Sequence, residues 1–319
     1  MKVLVTGGAG FIGSHVVDAL VAGGDRVVVV DNLSTGKREN LNPAVPFHGV
    51  DVRDAASLEE VFARERPEVV SHHAAQVDVR RSMRDPAFDA DVNVLGLVNL
   101  LQLCVRYEVR KVIFASTSAV YPEPEAVPVD ETHPVRPQSA YGLSKHVGEK
   151  YLELFRDIHG LPFGAFRYGN VFGPRQDPKG EAGVVAIFTE QMMNGVRPTL
   201  FGDGNKTRDY VYVDDVVSVN LLAMDGRVDG GIFNVGWGRE VRDVEVFEAV
   251  RRGLGAQVEP QYGRKRPGEL GRIALDSAKA RASLGWRPRV SFEEGVRLTL
   301  EYFQGKFRAP GLSQEASRR

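Results

Sequence analysis

The sequence predicts an α/β protein, a doubly wound parallel sheet followed by a smaller, loop-rich α/β lobe. Short β-branched runs, Val3-Leu4-Val5, Val27 to Val30, Val69-Val70 and Val112-Ile113-Phe114, recur through the first half between longer amphipathic stretches. Strands spaced by helices pair in parallel, with helices on both faces. A glycine-rich turn follows directly on the first run, and after about Phe166 Gly and Pro spread through residues 169–183 and 195–204. Loops of that kind carry binding groups on a rigid scaffold. The expected organisation is a cofactor domain at 1–165 to which the chain returns near 208–236, a substrate lobe at 166–310, and a frayed, small and polar tail at 311–319.

Bulk properties narrow the partners. Across 319 residues, 41 basic side chains meet 42 acidic ones, so no overall field points to nucleic acid or an anionic membrane. The lone Cys104 forms no internal disulfide, and no Cys/His cluster has zinc-ligand spacing, so no metal is expected and a reducing, cytoplasmic setting is. The start is too short for a signal-peptide core, and no run approaches the ~18 apolar residues of a membrane span.

The turn after the first strand reads Thr6-Gly7-Gly8-Ala9-Gly10-Phe11-Ile12-Gly13 and opens a helix through about Leu20. Glycines let the backbone approach a pyrophosphate, whose charge meets free N–H groups and the positive end of the helix dipole. The second strand ends at Asp31, eighteen residues past Gly13. An acid there accepts from the adenosine ribose hydroxyls and repels a 2′-phosphate, which favours NAD over NADP. A surface turn followed by an unrelated acid is the plainer alternative, and the ordered strand, glycines, helix and acid argue against it. The glycine spacing fits two dinucleotide fingerprints, Gly8-x-Gly10-x-x-Gly13 and Gly7-x-x-Gly10-x-x-Gly13.

Tyr141 and Lys145 lie four residues apart, on one face of a helix. A cation within a few ångströms lowers a phenol by ~1–3 units from its usual ~10, and the positive nicotinamide ring adds to this, so Tyr141 is expected to act as a base. Upstream, Ala115-Ser116-Thr117-Ser118-Ala119-Val120-Tyr121 delivers hydroxyls to the carboxyl end of the sheet, where ligands of such sheets bind. Any one of these hydroxyls serves equally well to cap its own backbone.

With these residues in place, the chain resembles the extended short-chain dehydrogenase/reductases, and among them the UDP-glucose 4-epimerases, from Thr6 to about Gly295. The resemblance rests further on Asp31-Asn32-Leu33-Ser34-Thr35-Gly36, Asp51-Val52-Arg53-Asp54, His73-Ala74-Ala75-Gln76-Val77, Asn93 and Arg167-Tyr168-Gly169-Asn170. Arg208-Asp209-Tyr210, Arg266-Pro267-Gly268-Glu269 and Leu284-Gly285-Trp286 follow in order. It implies a Rossmann-type fold and NAD held by Gly7, Gly10, Phe11, Ile12, Gly13, Asp31, Asn32, Ser34, Gly36, Asp51, Val52, Ala74, Ala75, Asn93, Ser116, Tyr141, Lys145 and Tyr168. It further implies Thr117, Tyr141 and Lys145 as catalytic residues, and Thr117, Tyr141, Asn170, Arg208, Arg266 and Glu269 on a UDP-sugar. Forked arginine donors suit a diphosphate and a carboxylate suits ribose hydroxyls. In similar enzymes the helices corresponding to 91–107 and 141–159 pair across a two-fold axis, which implies a homodimer.

Departures matter as well. Related 4,6-dehydratases carry an acidic pair after the catalytic Thr and related decarboxylases a Glu, but here Ser118 and Ala119 follow, which disfavours elimination. Pro122 stands where the family commonly has Gly. Epimerisation of a UDP-N-acetylhexosamine or of UDP-glucuronate is the nearest rival, with Ile273 expected near the sugar's position 2 and Arg80 or Arg81 able to meet a carboxylate. Net dehydrogenation and a non-catalytic, cofactor-sensing scaffold are the others.

Overall fold

The structure is a computed structural model and describes residues 1–179, 183–226, 228–265 and 270–308. Seven strands form one sheet: β1 (Lys2–Thr6), β2 (Arg26–Val30), β3 (Phe47–His48), β4 (Val69–His72), β5 (Lys111–Thr117), β6 (Phe163–Tyr168) and, late in the chain, Ile232–Val235. Three two-stranded ladders precede and follow that last strand. β7 (Asn170–Phe172) pairs with β10 (Tyr210–Tyr212), β8 (Thr199–Phe201) with β13 (Gln261–Gly263), and β9 (Thr207–Arg208) with β12 (Val241–Arg242). The Ile232–Val235 strand is therefore β11. The main sheet runs β11-β6-β5-β4-β1-β2-β3, with every neighbouring pair parallel. The chain moves outward from β1 to β3 and then restarts on the other side at β4. That reversal opens a crevice at the carboxyl ends of β1 and β4.

Both faces of the sheet are covered, which is why its strands are apolar throughout rather than alternating. Helices α1 (Phe11–Ala22) and α8 (Val213–Met224) cover one face through Val16, Val17, Leu20, Val216 and Val219. Helices α2 (Ala55–Glu65), α5 (Gly96–Arg106) and α6 (Ala140–His159) cover the other through Leu58, Phe62, Leu97, Leu101 and Leu152. Fully burying one such side chain is worth about 1.5–3 kcal/mol, so the two layers fix the scaffold. Two short helices, α3 (Val79–Arg84) and α4 (Pro86–Ala90), precede a π-helical turn at Asp91–Leu95 that leads into α5. The remaining helices are α7 (Val184–Met193), α9 (Asp243–Leu254), α10 (Ala278–Leu284) and α11 (Phe292–Arg308). A third core, with Phe172, Phe188, Tyr210, Phe247 and Phe292, joins α7, α9 and α11 to the small ladders.

β6 pairs with β5 without interruption as far as Thr117↔Tyr168. Two expectations are corrected here. β2 ends at Val30, which leaves Asp31 as the first loop residue. Residues Pro86–Arg106 form a helical stretch long and apolar enough to cross a bilayer by length and composition, although no such run was expected. Here it packs Leu97, Leu100, Leu101 and Cys104 fully inside the protein, which accounts for its composition. The expected tail at 311–319 lies outside the described residues.

Candidate functional site

The loops after β1, β2, β4, β5 and β6 meet at the carboxyl edge of the sheet. Gly7 has φ +68°, and a Cβ there would stand 2.6 Å from the Ala74 nitrogen, so only glycine lets the β1 and β4 loops touch. A Cβ on Gly13 would stand 2.2 Å from the Gly7 carbonyl oxygen. Helix α1 therefore starts hard against the turn. Its N-cap Gly10 has no side chain to cap the first N–H groups, and no acid occupies the first turn. The amides of Phe11, Ile12 and Gly13 are left for an anion.

Asp31 is buried and accepts from the backbone N–H of Ala9 at 3.0 Å and of Leu33 at 2.8 Å, and burial raises its pKa. Gly36 closes over it, since a Cβ there would lie 2.8 Å from Asp31 Oδ1. Asn32 donates to Asp51 at 2.7 Å, and Ser34 donates its N–H to Asn32 Oδ1 at 3.0 Å. Asp51 also takes the Arg53 guanidinium, which holds its carboxyl down at about 2. Val52 is buried against Gly96, while Ala74 and Ala75 border the crevice half-buried. An uncapped helix start, a glycine cradle and an acid at the second strand suit a dinucleotide with a diphosphate and a free ribose.

On the other side of the crevice stands the start of α6, capped by Ser139, whose Oγ accepts from the Gly142 N–H at 3.1 Å. The Tyr141 phenol faces the Thr117 side chain at the end of β5, an influence that favours its phenolate. Lys145, buried, donates to the Ala115 carbonyl at 2.9 Å and lies over the Phe114 ring. Burial lowers its pKa to about 8, against the pull of Asp89 and Glu149. The structure thus brings Thr117, Tyr141 and Lys145 together. It corrects the expected electrostatics, because burial pushes the Tyr141 phenol up to about 12, against the influence of Thr117. The ammonium turned to Ala115 does not offset that burial.

Several expected ligands have other partners. Ser116 donates to Glu149 at 2.6 Å and is buried, so its hydroxyl braces α6. Tyr168 sends its hydroxyl to Asn220 on α8 and stacks its ring on Phe166, so its side chain is core. Asn93 uses its amide inside the protein, on Gln76, Asp89 and Ser144. Ile273 is buried in a cluster with Val120, Tyr121, Val129 and Leu275. Arg81 lies exposed over the Phe88 ring. Asn170 sits on β7 with its N–H on the Asp209 carbonyl, and Arg208 on β9 donates to the Thr207 carbonyl at 2.7 Å. Arg266 and Glu269 lie outside the described residues. A cleft of about 320 Å³ lined by Phe201, Asn205, Lys206, Lys265 and Leu270 lies just before β9. A wider depression of about 480 Å³ between α1 and α8 sits on the sheet face opposite α6.

Sequence reasoning missed Glu149 and Asp89. Glu149 follows Lys145 by one helical turn on the same face, a spacing that signals a shared environment. Asp89 lies in an acidic, solvated-looking stretch, and nothing local reveals its burial.

Fold and site together define a protein of the extended short-chain dehydrogenase/reductase class. The family described as NAD dependent epimerase/dehydratase matches residues 3–236, and the chain belongs to it. A UDP-glucose 4-epimerase of Mycolicibacterium smegmatis is 46% identical over 312 residues, covering 96% of this chain and 99% of that protein. The crystal structure of a Thermotoga maritima UDP-glucose 4-epimerase with UDP-glucose has a TM-score of 0.94 at 48% identity, covering 96% of this chain and 100% of the other. That of a Thermus thermophilus UDP-glucose 4-epimerase in complex with NAD has a TM-score of 0.91 at 49% identity, covering 96% and 99%.

Proposed function

We propose that this chain inverts carbon 4 of a UDP-hexose, interconverting UDP-glucose and UDP-galactose, with NAD as its resident cofactor. The observation that carries this reading is the Tyr141 phenol set beside Thr117 and one helical turn before a buried Lys145, across the crevice from an uncapped glycine turn. Near-full-length likeness to UDP-glucose 4-epimerases supports the choice of reaction.

When bound, NAD supplies a two-electron acceptor and donor for the sugar carbon. Its diphosphate would lie on Gly7, Gly10, Phe11, Ile12 and Gly13, and its adenosine ribose on Asp31. Asn32, Ser34, Gly36, Asp51, Val52, Ala74 and Ala75 would line its course. Lys145 would hold the nicotinamide ribose, while Asn93, Ser116 and the Tyr168 side chain act behind this surface. Tyr141 takes the proton of the 4-hydroxyl as the carbon–hydrogen bond breaks, and Thr117 bridges the two oxygens. Arg208, Asn170, Arg266 and Glu269 anchor the UDP, and the cleft before β9 supports a seat there. The 4-keto hexose, held loosely, turns over and takes the same proton back on reduction at its opposite face. No net redox change results.

Purified protein incubated with UDP-galactose and followed by NMR tests this reading, together with identification of the nucleotide that co-purifies. Formation of UDP-glucose, and a loss of at least ~100-fold in Tyr141→Phe with folding retained, is the expected result for an acid/base residue. Stoichiometric NADH release would instead indicate net dehydrogenation, and no turnover a cofactor-sensing scaffold. UDP-N-acetylgalactosamine and UDP-glucuronate belong in the same assay, as the substrates of the nearest rival reading.

We also read the chain as a cytoplasmic homodimer divided into a cofactor lobe and a UDP-sugar lobe. Leu95, Leu143, Leu154 and Ile158 are about half exposed or more along the π turn and α6, an apolar face that suits helix pairing with a second copy. Leu154→Glu with Ile158→Glu should then give a monomer. A monomeric wild-type mass at micromolar concentration would contradict the dimer.

A further inference from the structure

Asp89 is 1% exposed and sits at the centre of a hydrogen-bonded cluster joining four elements. Its Oδ1 accepts from Gln76 Nε2 at 2.8 Å and from Asn93 Nδ2 at 3.2 Å. Asn93 projects from the π-helical turn, a local widening that recurs at functional sites. Its amide reaches Ser144 at 3.1 Å, and Ser144 donates to the Tyr141 carbonyl at 3.0 Å. The same amide holds the Gln76 main chain, just past Ala75 in the crevice wall. The second oxygen, Asp89 Oδ2, is buried with no hydrogen-bond partner. An unpaired buried carboxylate oxygen is costly, and its retention calls for a reason.

We propose that Asp89 is a positioning residue of the Tyr141–Lys145 pair: through Asn93 and Ser144 it sets the turn of α6 that carries both, and its unpartnered oxygen lends their pocket a negative charge. The inference rests on the reaction proposed above. Asp89 holds both groups toward their protonated forms, a minor influence on Tyr141 beside burial and the foremost opponent of burial at Lys145. The other charged or titratable groups facing the pair are Glu149 on α6 and, at the end of β4, His72 and His73, both held neutral. From β5 the Thr117 hydroxyl, the Ala115 carbonyl and the Phe114 ring face it, all uncharged. On α3, Arg80, Arg81 and Arg84 are exposed. Asp89 is therefore the anion supplied to the pair from outside its own helix.

Asp89→Asn can keep both Oδ1 hydrogen bonds while removing the charge, and Asp89→Ser removes both. The pH dependence of kcat and the ultraviolet titration of the Tyr141 phenolate, taken as a difference from Tyr141→Phe, are compared with wild type. Losing the anion favours phenolate and disfavours ammonium, so both limbs of the rate profile and the phenolate midpoint should move to lower pH by about 1 unit. A purely structural lesion would lower the rate and move neither limb. Unshifted limbs or an unshifted midpoint, or failure of both variants to fold, would overturn the proposal. The phenolate titration needs no sugar, so it judges Asp89 even if the wild-type protein proves not to be an epimerase.

Discussion

Glu149 takes Arg167 with both carboxylate oxygens, at 2.8 and 2.7 Å, and both side chains are almost wholly buried. The pair stands one turn beyond Lys145 and ties α6 to β6. It also accepts from Ser116 on β5 and, through Arg167, donates to Tyr121 at 2.8 Å. Removing one partner of such a pair strands a buried charge, whereas replacing both with apolar groups can be neutral. Glu149→Ala should destabilise the protein by about 3–5 kcal/mol in denaturant titrations. The double variant Glu149→Leu, Arg167→Met should recover much of that loss. A double variant as unstable as the single would mean that the lost packing, and not the stranded charge, sets the cost.

Tyr141 shows why cofactor binding and acid/base chemistry are coupled. Burial, the largest influence on it, pushes its phenol up to about 12 in the free protein, too high for a base near neutrality. A positive nicotinamide beside it would favour the phenolate by ~1–3 units, and a reduced, neutral ring would not. The phenolate midpoint should therefore fall with NAD+ bound and stay high with NADH bound. Equal midpoints in the two complexes would remove the nicotinamide charge from the activation of Tyr141.

The scaffold was legible because its signals are local. β-branched runs, the glycine turn and the Tyr141–Lys145 spacing each act over a few residues, and the doubly wound parallel sheet follows from them. What spacing does not reveal has a common physical origin in long-range pairing. Glu149 takes the Ser116 hydroxyl from 33 residues away, and Asn220 takes that of Tyr168 from 52 residues away. Ile273 packs with Tyr121, more than 150 residues earlier in the chain. The sign of the Tyr141 shift depends on depth of burial, which no spacing encodes. Asp89 was invisible for the same reason.

Gly13→Ala tests the close approach of α1 to the cradle. The new Cβ would fall 2.2 Å from the Gly7 oxygen and 2.9 Å from its carbonyl carbon, both backbone atoms that cannot swing aside. Overpacking of this sort costs about 1–3 kcal/mol. More tellingly, the helix start must move away from the turn, so co-purifying nucleotide should drop several-fold while the sheet remains folded by circular dichroism. Full cofactor occupancy in the variant would show that the pyrophosphate does not depend on this contact.

Stability toward acid should be governed in part by the histidines at the end of β4. His72 is 1% exposed and shares a 2.7 Å hydrogen bond with Thr6, and burial holds its pKa well below 6.5. His73 is pushed down to about 3 by burial and then by the Lys145 charge. In the unfolded chain each titrates near 6.5, so below that pH the unfolded state binds protons the native state refuses. Their stabilisation is present above about 6.5 and is lost as pH falls below it, for His73 down to about 3, each proton costing about 1.4 kcal/mol per pH unit within the window. Asp209 has the opposite sign. Burial raises it from 3.8 to about 6, so its contribution is present below 3.8 and lost as pH rises through about 6. The two effects overlap in one range, and the raw profile cannot separate them. Comparing wild type with His73→Phe by denaturant titration from neutral pH to about pH 4 isolates one proton. The wild-type curve should fall more steeply by about one proton's worth of slope, and parallel curves would mean that His73 is protonated in the native protein.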